Sequence, residues 1–437
     1  MKLQHYLEQQ RWFGGKSRTV TGVSPGTDVT IPGEGLERFH LSLAEVRYAE
    51  ASPEHYLLTL SGMDDGPVVD ALRDDAFARA LLDVIRGERH LPLPQMPLRG
   101  ELILEGREEV SELPLAPDVR RLGGEQSNTS LVFADRAILK LLRRVEPGLH
   151  PEYEIGRLLA AERFAWAPPL LGALQLEGPS GTTLAVLHRF LPDAEDGWQF
   201  VVQALRDGRE HHPVLRADLE RLGRRLAQLH LALARPHTPA FQPEPLLPSD
   251  LQGLSASIIG EFGVTLALGA HRLQLPADFE QHQVERLAQL AHLQAGGCAQ
   301  RIHGDLHLGQ VLARRGDWFF FDFEGEPARP LARRRERHSP LRDLAGLTRS
   351  LAYADAVAPG GEPGHPRVRP LRESLLHGYR GAMSGSGLVP EGPAFDVLLD
   401  SLEFEKLLYE LRYELQHRPS WVHIPAADLL APEPLPP

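Results

Sequence analysis

One polar loop and the aromatic strand that follows it constrain this chain most strongly. The loop reads His303-Gly304-Asp305-Leu306-His307-Leu308-Gly309-Gln310, and the run Trp318-Phe319-Phe320-Phe321 then ends at Asp322. Asp305, Gln310 and Asp322 follow the order in which kinases place a catalytic carboxylate, an amide metal ligand and a second acidic ligand. Phosphoryl transfer needs these groups because its catalysis is mostly positioning and charge neutralisation. The pattern predicts a phosphotransfer site with Asp305 as the base.

Two other interpretations of this loop stay open. His303, Asp305 and His307 could form a hydrogen-bonded structural loop, or they could supply three ligands to zinc. Zinc fits less well because the chain holds a single cysteine and shows no fourth ligand segment. Zinc also leaves Gln310 and Asp322 without a role, so the kinase interpretation leads.

A second set of residues, further upstream, fits the nucleotide. The segment 123–130 is rich in glycine and hydroxylated residues, which let backbone N–H groups approach phosphates closely. Lys140 follows inside the apolar strand-like run Ala137–Leu142. A lysine there favours a contact with the α- and β-phosphates of ATP, held by a helix glutamate, for which Glu154 is the candidate. The alternative is a plain turn followed by an edge-strand lysine that reaches solvent.

The hydrophobic periodicity changes along the chain and indicates an α+β protein. Short alternating runs and a helix candidate, Ala76–Ile85, occupy the first 90 residues. Strand patterns around one helix continue to about Leu191 and predict a small sheet-rich lobe. Beyond Pro213 the pattern predicts a mainly helical lobe, because leucines recur at spacings of three and four on one helical stripe. The stripe contains Leu215, Leu219, Leu222, Leu226, Leu229 and Leu233.

Composition narrows the classes of partner. The chain has 47 lysine and arginine residues against 59 aspartate and glutamate residues, so its net charge of -12 argues against nucleic acid and anionic membranes. Cys298 is the only cysteine, which suits a reducing compartment. The polar N-terminus and the lack of a long uninterrupted apolar run predict a cytoplasmic protein without a membrane segment. The oligomeric state is not predicted.

A polar helix face near the C-terminus is a candidate acceptor site. Lys406, Glu410, Tyr413 and His417 recur at spacings of four, three and four, so they share one face of a helix. Sugars need paired donors and acceptors beside a flat apolar surface, and the nearby Trp421 adds such a surface. The alternative is an ordinary solvated face with a Lys406–Glu410 ion pair.

These motifs together resemble the bacterial maltokinases, a group with an aminoglycoside-phosphotransferase-like, eukaryotic-kinase-like fold. The resemblance spans nearly the whole chain, and its first and last segments are the most specific. The segments that carry it are 10–18, 125–130, 138–141, 303–310, 322–327, 339–343, Glu405-Lys406, Tyr409-Glu410, Tyr413-Glu414 and 418–421.

The resemblance implies a bilobal fold and a reaction. It implies a cap subdomain at 1–90 and a nucleotide-side subdomain at 91–200 in the sheet-rich N-lobe, with a mainly helical C-lobe at 201–437. It also implies an enzyme that uses ATP and Mg²⁺ to phosphorylate the anomeric hydroxyl of maltose. The maltose 1-phosphate would then feed α-glucan (glycogen) synthesis, and a trehalose synthase is a candidate partner.

The resemblance also implies site roles. Asp305 is the base, and Gln310 and Asp322 hold Mg²⁺. The residues implied to contact the nucleotide are Ser127, Asn128, Thr129, Ser130, Lys140, Glu154, His188 and Phe190, the last two in an adenine-binding hinge. The residues implied to contact the acceptor are His303, Lys406, Tyr409, Glu410, Tyr413, Arg418 and Trp421.

Two departures from the family pattern concern the acceptor. His417 stands where asparagine is more frequent, and the segment 333–337 is more basic than usual. A related group phosphorylates glucosamine with similar nucleotide motifs, so a glucosamine or aminoglycoside kinase is the alternative enzyme. A nucleotide-binding pseudokinase scaffold is the alternative outside enzymes.

Overall fold

In the computed structural model the chain forms two compact units. The first contains residues 1–192 and 327–333, and the second contains residues 193–326 and 334–437. The structure describes residues 2–26, 28–31, 39–61, 69–92, 97–123, 127–178, 181–235, 238–269, 275–276, 278–362 and 364–430.

The first unit is rich in β-structure. Its elements, in chain order, are α1 (Lys2–Gln9), β1 (Val20–Ser24), β2 (Asp28–Thr30), β3 (Phe39–Tyr48), β4 (Glu54–Ser61), β5 (Val69–Asp70), α2 (Asp75–Arg86), β6 (His90–Leu91), β7 (Leu98–Leu102), α3 (Arg107–Ser111), β8 (Val119–Arg121), β9 (Asn128–Phe133), β10 (Ala137–Leu142), β11 (Arg144–Val145), α4 (Pro151–Ala161), β12 (Leu170–Leu176) and β13 (Thr182–Arg189).

Two antiparallel sheets organise this unit. Strands β1, β3, β4 and β11 pair in that order, with β2 and β5 joining β3 and β4. The larger sheet has the order β6-β7-β12-β13-β10-β9-β8. Helix α2 begins after Asp74, whose carboxylate accepts a hydrogen bond from the Ala76 N–H group over 2.9 Å. Its apolar face, including Phe77 and Leu81, is buried in the core shared by the two sheets. The predicted helix Ala76–Ile85 is confirmed.

The predicted strand around Lys140 lies in the interior of the larger sheet. On β10, Lys140 is opposite Ser130 of β9 and Val186 of β13. Because side chains alternate along a strand, Leu139 and Leu141 point to the other face and join the apolar core. An interior strand explains why Lys140 is buried rather than solvated.

The second unit is mainly helical. Its elements, in chain order, are β14 (Glu195–Asp196), α5 (Gly197–Arg206), α6 (Pro213–Leu233), β15 (Glu244–Pro245), α7 (Pro248–Gly269), α8 (Phe279–Ala291), β16 (Cys298–Ala299), β17 (Val311–Arg314), β18 (Asp317–Phe320), α10 (Leu341–Val357), α11 (Arg369–Met383), α12 (Pro393–His417) and α13 (His423–Leu430). Helix α9 (Leu331–Arg334) falls almost wholly in residues 327–333 of the first unit.

Helix α6 carries the predicted leucine stripe. All six leucines of the stripe are buried, and burying each contributes about 1.5–3 kcal/mol. Glycines allow α6 and α11 to approach closely: a Cβ atom added to Gly223 would lie 2.0 Å from the Leu375 carbonyl oxygen, and one on Gly378 would lie 1.9 Å from that of Glu220. The predicted sheet-rich N-lobe and mainly helical C-lobe are confirmed.

Helix α7 is the one described helix long and apolar enough, by length and composition, to cross a membrane. The sequence reasoning found no such segment because Ser, Thr, Gly and Glu261 interrupt the apolar run. Phe262 of this helix forms edge contacts with Phe279 of α8 and Phe404 of α12. These contacts are typical of a helix packed against a protein core.

Candidate active site

The loop that carries Asp305 is held by a buried carboxylate. Asp343, in the first turn of α10, accepts hydrogen bonds from the His303 N–H group over 2.7 Å and from the Gly304 N–H group over 2.9 Å. Gly304 adopts φ +86, a conformation that favours glycine. Asp343 therefore fixes the backbone immediately before Asp305.

Asp343 is held in turn by a buried histidine. His230 Nε2 lies 3.1 Å from Asp343 Oδ2, and His230 Nδ1 lies 2.8 Å from the hydroxyl of Tyr379. Burial raises the pKa of Asp343, but the His230 hydrogen bond and charge, with the Gly304 N–H, outweigh it and lower the pKa. The sequence reasoning gave Asp343 and His230 no role. A lone histidine on the apolar stripe of α6 was the signal that could have drawn attention to His230.

Asp305 is half-buried and faces a lysine from α12. Lys406 Nζ lies 3.5 Å from Asp305 Oδ1 and 3.8 Å from Glu326 Oε1. Burial lowers the pKa of Lys406, but the two carboxylates outweigh it and raise the pKa above its usual value. Lys406 therefore carries a positive charge beside Asp305 at neutral pH. The structure brings together these two predicted residues.

Gln310 and Asp322 also lie together. Gln310 Nε2 donates to Asp322 Oδ2 over 3.0 Å, and the Phe321 N–H group donates to the Gln310 carbonyl oxygen over 3.2 Å. Asp322 adopts φ +66, so the chain turns sharply directly after β18. Mg²⁺ binds oxygen ligands and usually takes only one or two carboxylates, with substrate phosphates and water completing its shell. The amide and carboxylate oxygens present fit such an ion.

The two histidines of the loop serve its geometry. His303 Nε2 lies 2.9 Å from the Phe321 carbonyl oxygen, and its ring packs on Phe323. His303 is only 1% exposed, so its position supports a role in holding the loop rather than the predicted contact with the acceptor. His307 Nδ1 accepts a hydrogen bond from the Gly309 N–H group over 3.0 Å. Burial lowers the pKa of His307, which favours its neutral form.

Lys140 is paired with a different glutamate from the one predicted. Its Nζ donates to Glu152 Oε2 over 2.9 Å, and Glu152 Oε1 lies 3.5 Å from His188 Nε2. Burial raises the pKa of Glu152, but the charge of Lys140 outweighs it and lowers the pKa. Glu154 was the predicted partner. Two residues turn a helix by about 200°, so Glu154 points away when Glu152 faces the strand.

The residues predicted to cover the phosphates lie partly in a strand. Asn128, Thr129 and Ser130 form the start of β9, and Asn128 and Ser130 are buried. Thr129 Oγ1 accepts a hydrogen bond from Arg143 Nε over 2.8 Å. These side chains therefore support the strand that follows the predicted loop. Ser127 is exposed, and positions 124–126 of the predicted loop lie outside the described residues.

The predicted adenine hinge is the end of β13. The N–H group of Phe190 donates to the Arg136 carbonyl oxygen over 2.8 Å, so this amide already has a partner. His188 Nδ1 lies 3.1 Å from the Pro168 carbonyl oxygen. The structure thus directs the His188 side chain towards Glu152 and Pro168, a contact that the sequence did not indicate.

The predicted acceptor residues of α12 lie along one helix face. Tyr413 is stacked between Tyr409 and His417, with ring centroids 6.3 and 4.7 Å apart. The guanidinium of Arg418 lies between the rings of Tyr413 and Trp421, 5.2 and 4.9 Å from their centroids. The rings therefore stack on one another along this face of the helix.

Comparison with known proteins identifies the family. A glucosamine kinase from Streptacidiphilus jiangxiensis is 30% identical over 331 residues, which cover 71% of this chain and 72% of that protein. The family model of the phosphotransferase enzyme family matches residues 118–325. The chain belongs to the phosphotransferase enzyme family. This phosphotransferase is an enzyme that transfers a phosphate group to a hydroxyl, which confirms the predicted enzyme class over a pseudokinase scaffold.

Further matches extend the likeness along the phosphotransferase. The model of the maltokinase N-terminal cap domain matches residues 6–78. A glucosamine kinase from Mycolicibacterium smegmatis is 26% identical and covers 70% of this chain and 77% of that protein. A solved structure of a glucosamine kinase in complex with glucosamine, ADP and inorganic phosphate superposes with a TM-score of 0.68 and 23% identity, over 94% of this chain and 95% of that one. The last likeness establishes the kinase-like fold.

Proposed function

We propose that this phosphotransferase moves the γ-phosphate of ATP to the anomeric hydroxyl of maltose, giving maltose 1-phosphate and ADP. The observation that carries the proposal is the position of Lys406, 3.5 Å from the proposed base Asp305. Asp305 and Glu326 at this point already have a cation of the chain, Lys406, as their shared partner. A neutral sugar therefore suits the site better than a cationic one.

The proposed chemistry begins at the acceptor hydroxyl. Asp305 accepts the proton while the acceptor oxygen forms a bond to the γ-phosphorus, and the bond from that phosphorus to the β–γ bridging oxygen breaks. Asp343 holds the loop backbone through two N–H groups, so the Asp305 carboxylate is oriented before the substrate arrives. Lys406 lies close enough to orient Asp305 as well.

We propose that the remaining charged groups serve the nucleotide. Lys140, held by Glu152, would bind the α- and β-phosphates, and Ser127 would donate to them. Gln310 and Asp322 would hold Mg²⁺, which neutralises charge on the phosphates when bound. The roles of His188 and Phe190 beside adenine remain part of this proposal, although Phe190 would contribute a group other than its engaged N–H.

We propose that α12 supplies the acceptor site. Tyr409, Glu410 and Tyr413 follow Lys406 on the same helix face, and Arg418 and Trp421 extend it beyond the end of the helix. A disaccharide offers hydroxyl groups at successive positions along such a row of hydrogen-bonding side chains. The matched maltokinase cap domain supports the same acceptor.

A glucosamine kinase is the second candidate, because two relatives carry that name. A site for glucosamine needs a carboxylate free to pair with an ammonium group. The carboxylates of this site face chain cations instead: Asp305 and Glu326 face Lys406, and Glu410 faces Arg349. Because each of these three carboxylates already has a cation of the chain as a partner, we favour maltose.

The test is a comparison of acceptors under identical conditions. Purified protein is incubated with ATP, Mg²⁺ and separately maltose, glucose, glucosamine or kanamycin, and ADP release is measured. We expect kcat/KM for maltose to exceed that for glucosamine by at least about 100-fold. A higher kcat/KM for glucosamine contradicts the proposed acceptor. The Asp305→Asn variant is the control for background ATP hydrolysis.

The cellular setting belongs to the same proposal. Maltose 1-phosphate would supply α-glucan (glycogen) synthesis, and a trehalose synthase would be a partner in that route. The single cysteine suits the cytoplasm. The division into a cap at 1–90, a nucleotide-side subdomain at 91–200 and a C-lobe at 201–437 is proposed with it.

A further inference from the structure

A row of alternating charges runs through the second unit behind the proposed acceptor helix. Its members lie on α12, on α10, on the C-terminal helix α13 and in the segment that precedes α11. In order, the row contains Glu410, Arg349, Asp428, His365, Asp355 and Arg367. None of these side chains is more than 19% exposed, so solvent screens their charges weakly.

Arg349 determines how Glu410 is presented. Its Nε and Nη2 atoms both donate to Glu410 Oε2, over 3.0 and 2.8 Å. These bonds leave Glu410 Oε1 unused by Arg349. A carboxylate held by one oxygen has a fixed direction and a second oxygen that is able to accept hydrogen bonds from a sugar.

Asp428 fixes Arg349 from the other side. Asp428 Oδ2 accepts a hydrogen bond from Arg349 Nη1 over 2.7 Å, and Asp428 Oδ1 lies 2.7 Å from His365 Nε2. His365 Nδ1 lies 3.0 Å from Asp355 Oδ2. Asp428 is therefore held between two cations, and it cannot turn without breaking one of these contacts.

The position of Glu410 links this row to the reaction. Glu410 lies one helical turn beyond Lys406, and residues four apart on a helix are neighbours about 6 Å apart. Lys406 contacts the proposed base Asp305. A shift of the Glu410 carboxylate would therefore move a group of the proposed acceptor site. Asp428 is on another helix, α13, and would act on that site only through Arg349 and Glu410.

We propose that Asp428 and His365 are positioning residues for the acceptor. Through Arg349 they hold Glu410 so that its Oε1 atom receives a hydroxyl group of the sugar. The C-terminal helix α13 is thus part of the machinery that determines acceptor affinity. This inference rests on the proposed acceptor site on α12, and it holds for maltose and for another sugar alike.

A double-mutant cycle tests the inference. The variants Asp428→Asn, Glu410→Gln and the double variant are assayed with the acceptor that gives the highest kcat/KM. We expect Asp428→Asn to raise the acceptor KM about tenfold and to leave the ATP KM within about twofold. Because Asp428 acts on the acceptor only through Arg349 and Glu410, the double variant should be no worse than Glu410→Gln alone. The matched control is Asp396→Asn, also on α12, which breaks an exposed ion pair with Arg380 of α11 and should change neither KM.

The outcomes separate this inference from the proposed function. Independent, multiplying effects of the two variants, or an equal rise in both KM values, would show a merely structural role and overturn the inference. An unchanged acceptor KM in Asp428→Asn would overturn it as well. Turnover of glucosamine instead of maltose contradicts the proposed acceptor and leaves the cycle measurable. Turnover of no sugar overturns both.

The pH dependence of the wild-type protein gives a second measurement if Asp428→Asn does not fold. Asp428 and Asp355 face His365, with Arg349 and Arg367 beyond them. Burial lowers the pKa of His365, but its contacts with the carboxylates of Asp355 and Asp428 outweigh it and raise the pKa to about 9. His365 is therefore charged below about pH 9 and loses its proton above it. The pKa of Lys406 is raised from its ordinary value of 10.5, and that of Tyr409 from 10.0, so His365 loses its proton before either of them.

We expect the acceptor KM to rise between about pH 8 and 10 while the ATP KM stays level. His365→Gln should remove this rise and show the higher acceptor KM at every pH. A level acceptor KM in the wild-type protein over the same range overturns the inference.

Discussion

The contact between Asp343 and the loop before Asp305 gives the most detailed prediction. The carboxylate accepts three hydrogen bonds: Oδ2 from the His303 N–H group and from His230, and Oδ1 from the Gly304 N–H group. Asp343→Asn preserves the shape of the side chain but replaces one oxygen with an amide NH₂ group. Whichever way this amide turns, its NH₂ group faces at least one N–H donor.

The magnitude follows from the bonds lost. Hydrogen bonds to a charged group contribute roughly 1.5–3 kcal/mol each, and a buried donor left without a partner costs about 1–3 kcal/mol. Losing one or two of the three bonds should lower the free energy of unfolding by about 3–5 kcal/mol. A loop displaced by about 1 Å should lower kcat about 100-fold, since misplacement of this size impairs the reacting geometry.

The pH dependence of this effect has a definite sign. The pKa of Asp343 is lowered in the folded protein from an ordinary value of 3.8. Its contribution to stability is therefore fully present above about pH 4 and is lost as the pH falls through the lower, folded value. The stability difference between wild type and Asp343→Asn should stay constant from about pH 6 to 8 and shrink in acid.

Steady-state kinetics and urea denaturation measure the two effects of Asp343→Asn. The matched control is Asp317→Asn, which removes a part-exposed ion pair with Arg225 in the same unit. We expect this control to keep the wild-type kcat and to lose about 1 kcal/mol or less. A folded Asp343→Asn protein with kcat within twofold of wild type would refute the proposed positioning of the loop.

Three further predictions concern other sites. Glu152→Gln should raise the ATP KM about tenfold, whereas Glu154→Gln, on the same helix, should leave it within twofold; equal effects would contradict the assigned partner of Lys140. Asp322→Asn should raise the Mg²⁺ concentration that gives half-maximal rate at least about tenfold, and an unchanged Mg²⁺ titration counts against this ligand. Burial, and then a neighbouring glutamate, raise the pKa of Asp400 to about 6, so its ionisation destabilises the fold as pH rises from about 4 to 6. Asp400→Asn should raise the melting temperature at pH 7 but not at pH 4; because the side chain is half exposed, the gain is about 1 kcal/mol.

The sequence predicted those parts of the fold in which a local pattern is sufficient. The leucine spacing of α6 and the strand around Lys140 are confirmed, because burial imposes a period of 3.6 residues on a helix and of two on a strand. The order of Asp305, Gln310 and Asp322 brought three polar groups to one loop and the end of one strand. The contact between Gln310 and Asp322 follows from the short hairpin of β17 and β18 that lies between these two residues.

The remaining site residues depend on tertiary contacts that the sequence does not show. Glu152 and Glu154 are equally plausible partners of Lys140 until the rotation of α4 against the sheet is known. His303 looks like an acceptor ligand in the motif, but it is buried against Phe321 and Phe323. Asp343 lies 40 residues beyond His303, so nothing local indicates that it holds the loop.

Identification of the product tests the central claim most directly. Purified protein is incubated with ATP, Mg²⁺ and maltose, and the products are examined by ³¹P and ¹³C nuclear magnetic resonance. We predict ADP and one new phosphate monoester whose phosphorus couples to the anomeric proton and carbon of the reducing glucose unit. A phosphate on a primary hydroxyl, or no maltose-dependent product at protein concentrations that phosphorylate glucosamine, would contradict the account.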